Sequence, residues 1–116
     1  MKSLLRSSPA IGANGFIYAG STNSILYKIN AANGKLANLF KAGGPVISSP
    51  AVDPFTVYVG SDDKNVYGIE TATMKMRWSV ATGGPVRSSP AIANLVDGAP
   101  FLIIVGSDDG ILYVIK

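Results

Sequence analysis

The chain has 116 residues, of which 47% are hydrophobic and only 15% charged, a balance that excludes an intrinsically disordered chain. Its net charge of +3 comes from ten Lys/Arg against seven Asp/Glu; the basic residues are scattered rather than clustered with aromatics, so no nucleic-acid partner is expected. Cysteine and histidine are both absent, which excludes disulfide scaffolds, thiolate zinc sites and histidine general bases.

In chain order, the first eight residues, Met-Lys-Ser-Leu-Leu-Arg-Ser-Ser, lack the sustained apolar core of a signal peptide. This fits a cytoplasmic protein, or a mature or excised piece of a larger one. Ser7-Ser8-Pro9-Ala10-Ile11 opens a short strand, followed by strands over residues 16–19, 25–29 and 36–41. β-branched and aromatic residues in period-two alternation carry these assignments. Ser21-Thr22-Asn23-Ser24 and Asn30-Ala31-Ala32-Asn33-Gly34 form the hairpin turns between them. Gly43-Gly44-Pro45-Val46 then links to a second unit.

That unit repeats the pattern: Ser48-Ser49-Pro50-Ala51-Val52, then strands over 56–59, 66–69 and 76–81. Its turns are Ser61-Asp62-Asp63-Lys64-Asn65 and Glu70-Thr71-Ala72-Thr73-Met74, the latter without the Asn-Gly signal. After Gly83-Gly84-Pro85-Val86, a third unit runs through Ser88-Ser89-Pro90-Ala91-Ile92, a longer connection over 93–100, and strands over 102–105 and 111–115. Its apolar run at 101–105 is far short of the roughly 20 residues a membrane-spanning helix needs. No segment carries a capped helical period, so helix content should be close to nil.

The Ser-Ser-Pro-Ala blocks begin at residues 7, 48 and 88, and Gly-Ser closes an apolar run at 20–21, 60–61 and 106–107. Tyr27, Tyr67 and Tyr113 each stand two residues before an isoleucine. Four-stranded units of roughly 40 residues indicate β-propeller blades. The expected architecture is all-β, with about 2.75 blades of four antiparallel strands: 6–42, 43–82, and 83–116 lacking its outer strand. Three blades cannot close a ring. The exposed blade faces are therefore association surfaces, and a homo-oligomer, about six blades from two chains, is expected.

The blocks Ser-Ser-Pro-Ala-Val (48–52), Val-Tyr-Val-Gly-Ser (57–61) and the strand-four tryptophan, Trp78, resemble the PQQ-like β-propeller repeat. That family includes quinoprotein alcohol dehydrogenases, the propeller lipoprotein of the outer-membrane β-barrel assembly machinery, and sensor domains. The resemblance implies that Trp78 docks neighbouring blades. It also implies that Ser48, Ser49, Pro50, Ser88, Ser89 and Pro90 begin innermost strands facing a central channel, as packing and hydrogen-bonding residues. Counting back from Trp78, the first unit has Asn38, so weaker packing is expected there, with Leu39 or Phe40 filling the gap. Some relatives carry a calcium loop between the first two strands; here only Asp97-Gly98 remains. No ligand set for a quinone is identifiable, so neither cofactor nor metal is expected.

Among residues that could carry chemistry, Asp62-Asp63 and Asp108-Asp109 read as solvated turn formers, since adjacent side chains diverge. The Ser-Ser-Pro serines have no nearby base to activate them. Tyr18, Tyr27, Tyr58, Tyr67 and Tyr113 recur at fixed places and read as packing between blades. Arg6 and Arg87 stand immediately before Ser-Ser-Pro. Near one channel mouth they would hold an anion or a partner's acidic segment. The leading functional expectation is a non-enzymatic module for protein–protein interaction or scaffolding. The alternatives are a fragment of a PQQ-dependent dehydrogenase whose active site lies in absent blades, and an extracytoplasmic ligand-sensing domain. The compartment stays open, although the resembling family is commonly periplasmic.

Overall fold

The computed structural model describes residues 7–12, 15–93 and 102–115, and among these the only regular elements are strands. The first sheet is β1 (Ala10–Ile11), β2 (Phe16–Gly20), β3 (Ile25–Asn30) and β4 (Leu36–Lys41). The second is β5 (Ala51–Val52), β6 (Thr56–Gly60), β7 (Asn65–Glu70) and β8 (Met76–Ala81). The third comprises β9 (Ala91–Ala93), β10 (Leu102–Gly106) and β11 (Leu112–Ile115). Each sheet is an antiparallel meander in sequence order, so the all-β propeller architecture read from the repeats is the one observed.

The innermost strands are shorter than the Ser-Ser-Pro-Ala blocks suggested. Pairing begins only at Ala10, Ala51 and Ala91, because proline offers no N–H to a ladder. The preceding serines are used differently, as described below. Both complete sheets also carry a register shift at one place, between Lys28 and Ile29 and between Gly68 and Ile69. There the outer strand holds an extra residue, Ala37 or Arg77, opposite no partner.

Turn geometry repeats even where turn chemistry does not. Ser24, Lys64 and Gly110 share one hairpin position, with φ of 74°, 77° and 84°. In the following turn Gly34 has φ of 70° and Met74 has φ of 55°. The left-handed region costs a non-glycine residue roughly 1–2 kcal/mol. Met74 offsets that strain by burying its thioether side chain, 4% exposed, between the first two sheets.

The sheets stack face against face. Tyr18, Leu26 and Val46 meet Val57, Val59, Tyr67, Ile69 and Met74 at the first joint, with Phe16 and Phe40 packed alongside. At the second joint Val66, Val86 and Val105 are buried, flanked by Trp78, Tyr113 and Ile115. Strand alternation divides the work: on β7, Tyr67 and Ile69 look back to the first sheet and Val66 forward to the third.

Candidate interaction surface

The linkers between sheets are where most of the conspicuous polar residues act. Each Gly-Gly-Pro-Val is stitched to the blade it leaves and the blade it joins. Val46 N–H donates to Ser21 O at 2.9 Å, while Pro45 O accepts from Asp62 N–H at 2.9 Å. Ser61 Oγ donates to Gly44 O at 2.9 Å. The second linker copies this: Val86 N–H to Ser61 O at 3.0 Å, Asp108 N–H to Pro85 O at 2.9 Å, and Ser107 Oγ to Gly84 O at 3.1 Å. The linker valines then cover the glycines that end β2 and β6. A Cβ on Gly20 would stand 2.5 Å from Val46 Cγ1, and one on Gly60 would likewise collide with Val86.

The acidic turns are latches on these linkers, not merely solvated. Asp63 Oδ2 accepts from Gly43 N–H at 3.0 Å and from the Tyr67 hydroxyl, and Oδ1 from Asn65 N–H at 2.9 Å. Asp109 repeats the arrangement with Gly83 N–H at 2.8 Å, Tyr113 Oη at 2.6 Å and Ile111 N–H at 2.8 Å. Burial pushes the Asp63 carboxyl up, but the donors from Tyr67, Asn65 and Gly43 outweigh it and hold the group below its ordinary value. For Asp109 the Tyr113 hydroxyl is the main cause of a downward shift, aided by Gly83 and Ile111. Sequence reasoning missed this role, although the signal was present: the second Asp of each pair recurs in step with the Gly-Gly-Pro blocks.

The serines of the innermost strands divide into two sets. The first of each pair caps the strand beside it: Gly20 N–H reaches Ser7 Oγ at 2.8 Å, Gly60 N–H reaches Ser48 Oγ at 3.2 Å, and Gly106 N–H reaches Ser88 Oγ at 2.9 Å. The second passes a hydrogen bond from one blade to the next, from Ser8 N–H to Ser49 Oγ at 2.7 Å and from Ser49 N–H to Ser89 Oγ at 3.0 Å. Pro50 and Pro90 are buried beneath them.

Arg87 is more than half exposed, at 53% of its side chain, yet grips Asp62 with both ends of its guanidinium, at 3.0 and 3.1 Å. The bond joins a turn of the second sheet to the start of the third. Arg6 and the Asp97-Gly98 pair lie outside the described residues. Trp78 lies over Gly68, where a Cβ would strike the indole, with its ring 5.9 Å from Tyr58.

In the first sheet both members of that pair are replaced, Gly68 by Lys28 and Trp78 by Asn38. Lys28, 7% exposed, crosses the joint to donate to Thr71 O at 2.6 Å and sits 4.2 Å over the Phe16 ring; burial lowers its pKa. Asn38 Nδ2 donates to Thr73 O at 3.1 Å, and Phe40 packs edge-on to Tyr67 at 5.2 Å. Among the described residues, the cluster at the joint without a tryptophan holds eight buried residues and the cluster at the tryptophan joint three. The stem of Lys28 starts where a Cβ on Gly68 would strike the indole, while Phe40 stands at the register position of Val80, beside the Asn38 counterpart of Trp78.

On the rim opposite the linkers lies an open depression of about 410 Å³, lined by Pro54, Phe55, Glu70, Thr71, Ala72 and Arg77. Phe55 is 72% exposed. Its turn is fixed by Asp53, whose Oδ1 accepts from the N–H groups of Phe55 and Thr56, both at 2.8 Å. Asp53 Oδ2 accepts from Tyr58 Oη at 2.6 Å, and burial together with that bond pushes the phenol up to about 12. Arg77, the bulged residue, reaches Thr56 Oγ1 at 3.3 Å. Nothing in the repeat flagged Phe55, because the first unit has Gly15 at its place.

The model of the PQQ-like repeat family described as "Outer membrane protein assembly factor BamB" matches residues 1–116. The chain belongs to that family. No curated protein sequence matches it. Among solved structures, Sqt1 of Saccharomyces cerevisiae is similar with a TM-score of 0.86 at 14% identity, over 97% of this chain and 30% of that one. BamB from Moraxella catarrhalis is similar with a TM-score of 0.80 at 14% identity, over 99% and 34%. The PQQ-like chain thus spans about a third of the length of each, and likeness at this identity speaks for the fold alone. No helix among the described residues is long and apolar enough to cross a membrane, which says nothing of β-barrels. No cluster of three or more metal-ligating side chains occurs among them either.

Proposed function

We propose that this PQQ-like propeller module is non-enzymatic and works by protein–protein contact, with the depression around Phe55 and Arg77 as a contact surface. One observation carries the reading. The recurring serines, aspartates and tyrosines are occupied in joints between blades, whereas Phe55 is a large aromatic held out on a braced turn. Exposed aromatics beside arginine are the side chains that dominate protein interfaces. The channel-mouth pair Arg6 and Arg87 is proposed as a second contact, for an acidic segment that would share Arg87 with Asp62.

The test is affinity capture with in-cell cross-linking, comparing the wild-type chain with Phe55→Asp and Arg77→Glu. Proteins captured by wild type and lost from both variants support the rim contact; an identical set from all three overturns it. Calorimetric titration with pyrroloquinoline quinone and calcium is the companion measurement. Tight binding there would favour the dehydrogenase-fragment reading instead.

A further inference from the structure

Resting on the rim contact above, we propose that the depression beside Phe55 and Arg77 takes a short acidic–aromatic segment of a partner protein, in which an Asp or Glu stands next to a flat apolar ring.

The side chains that wall the depression are not demanded by the repeat. In the first sheet the same places are small: Gly15 stands for Phe55, and the bulged residue is Ala37 where the second sheet has Arg77. Neither Phe55 nor Arg77 belongs to the buried clusters of the two joints. Phe55 is nevertheless held in place, because Asp53 braces its turn from below. An aromatic ring fixed in solvent loses little freedom when a partner covers it, which favours binding.

The charges around it are unevenly satisfied. Asp53 accepts from Phe55 N–H, Thr56 N–H and Tyr58 Oη, and Glu70 Oε1 accepts from Thr73 Oγ1 at 3.0 Å. The Arg77 guanidinium offers several N–H donors, yet its partner among the described residues is the neutral Thr56 hydroxyl. Arg87, by contrast, already holds Asp62. A second donor lines the same depression. In the first sheet Asn30 Oδ1 accepts from Ala32 N–H at 2.9 Å. Glu70 holds the register position of Asn30 but bonds to Thr73, so the Ala72 N–H has no acceptor among the described residues. One incoming carboxylate answers these open donors, and a ring beside it covers Phe55. The volume of about 410 Å³ lies within the roughly 300–1,000 Å³ of sites for ligand-sized groups, which suits a few side chains and not a domain face. Glu70 on the lining disfavours a densely anionic lipid surface and leaves room for a single carboxylate.

The test is an NMR titration of the isotope-labelled chain with two acetylated, amidated peptides, Gly-Ser-Asp-Phe-Ser-Gly and its charge-reversed form Gly-Ser-Lys-Phe-Ser-Gly. Amide shifts should concentrate at Phe55, Thr71, Ala72 and Arg77. The Asp peptide should bind about three- to fivefold tighter than the Lys peptide, the range of a solvent-reached charge pair. Arg77→Glu, at an exposed bulge, should keep its β-sheet circular dichroism and reverse that preference, and Phe55→Ala should weaken both peptides. Equal binding of the two peptides, shifts centred elsewhere, or an Arg77→Glu variant that weakens both alike overturns the proposal. So does a silent Asp peptide combined with sedimentation on phosphatidylserine vesicles that Arg77→Glu abolishes, which would make the rim a membrane contact. If the peptide fails while cellular proteins are still lost from Phe55→Asp and Arg77→Glu, the rim contact stands and only its acidic–aromatic chemistry falls. An unchanged set of captured proteins removes both.

Discussion

Asp63 and Asp109 each collect a hydroxyl and two backbone N–H groups on one carboxylate, and the linker glycines Gly43 and Gly83 are among the donors. Since their folded pKa values lie below the ordinary 3.8, the unfolded chain takes up protons first as acid is added. The stability they contribute is therefore complete above 3.8 and is lost as pH falls through their lower, folded values. Thermal melts between pH 6 and pH 2 should show a fall beginning near that point. In Asp63→Asn the fall should be shallower, from a starting stability lower by about 1 kcal/mol, a figure kept small because the group is still partly reached by solvent. A pH profile identical to wild type would remove Asp63 from the latch. That these residues sit in tight turns was readable from Asp-Asp before a strand. Which of the two would turn inward was not, because that depends on a linker some 20 residues away.

At the level of elements, the two joints are alternative solutions at one position. Where the second sheet stacks Trp78 on Gly68, the first lays Lys28 across the joint and bonds Asn38 to Thr73. The missing tryptophan was visible in the sequence; its replacement was not, because Lys28 lies on a different strand and meets a carbonyl 43 residues away. Each solution should be tolerated only as a pair. Asn38→Trp alone should destabilise the chain by about 1–3 kcal/mol, since the lysine stem occupies the place of the indole. Lys28→Gly alone should cost a similar amount through lost packing and an unbonded Thr71 carbonyl. The double variant should recover at least about 1 kcal/mol relative to their sum, a coupling that a denaturant double-mutant cycle measures directly. Simple additivity would mean that the two residues do not share one space.

Over the whole molecule, each blade relies on its neighbours for cover, as in other stacked repeats. The second sheet is covered on both faces, and its β6 is buried along its whole length, whereas Leu112 and Val114 of β11 are largely bare. Native-state hydrogen exchange should therefore rank amides of β10 and β11 as the least protected and those of β6 and β7 as the most protected. Uniform protection across the three sheets in dilute solution would contradict that order.

The repeat, the place of most strands, the hairpin turns and the propeller architecture were all present in the order of residues. They depend on alternation and turn chemistry over a few neighbours, and three copies of the pattern reinforce one another. Even the Met74 turn follows its glycine counterpart, because strand register on either side leaves it no other geometry. The folded molecule alone decided which face each side chain presents and which polar group bonds which. Asp63 rather than Asp62 holds a linker, Arg87 pairs with Asp62 across a joint, and Lys28 substitutes for an indole. Those choices are made between residues some 20 to 43 apart in the chain, brought together only when the blades stack.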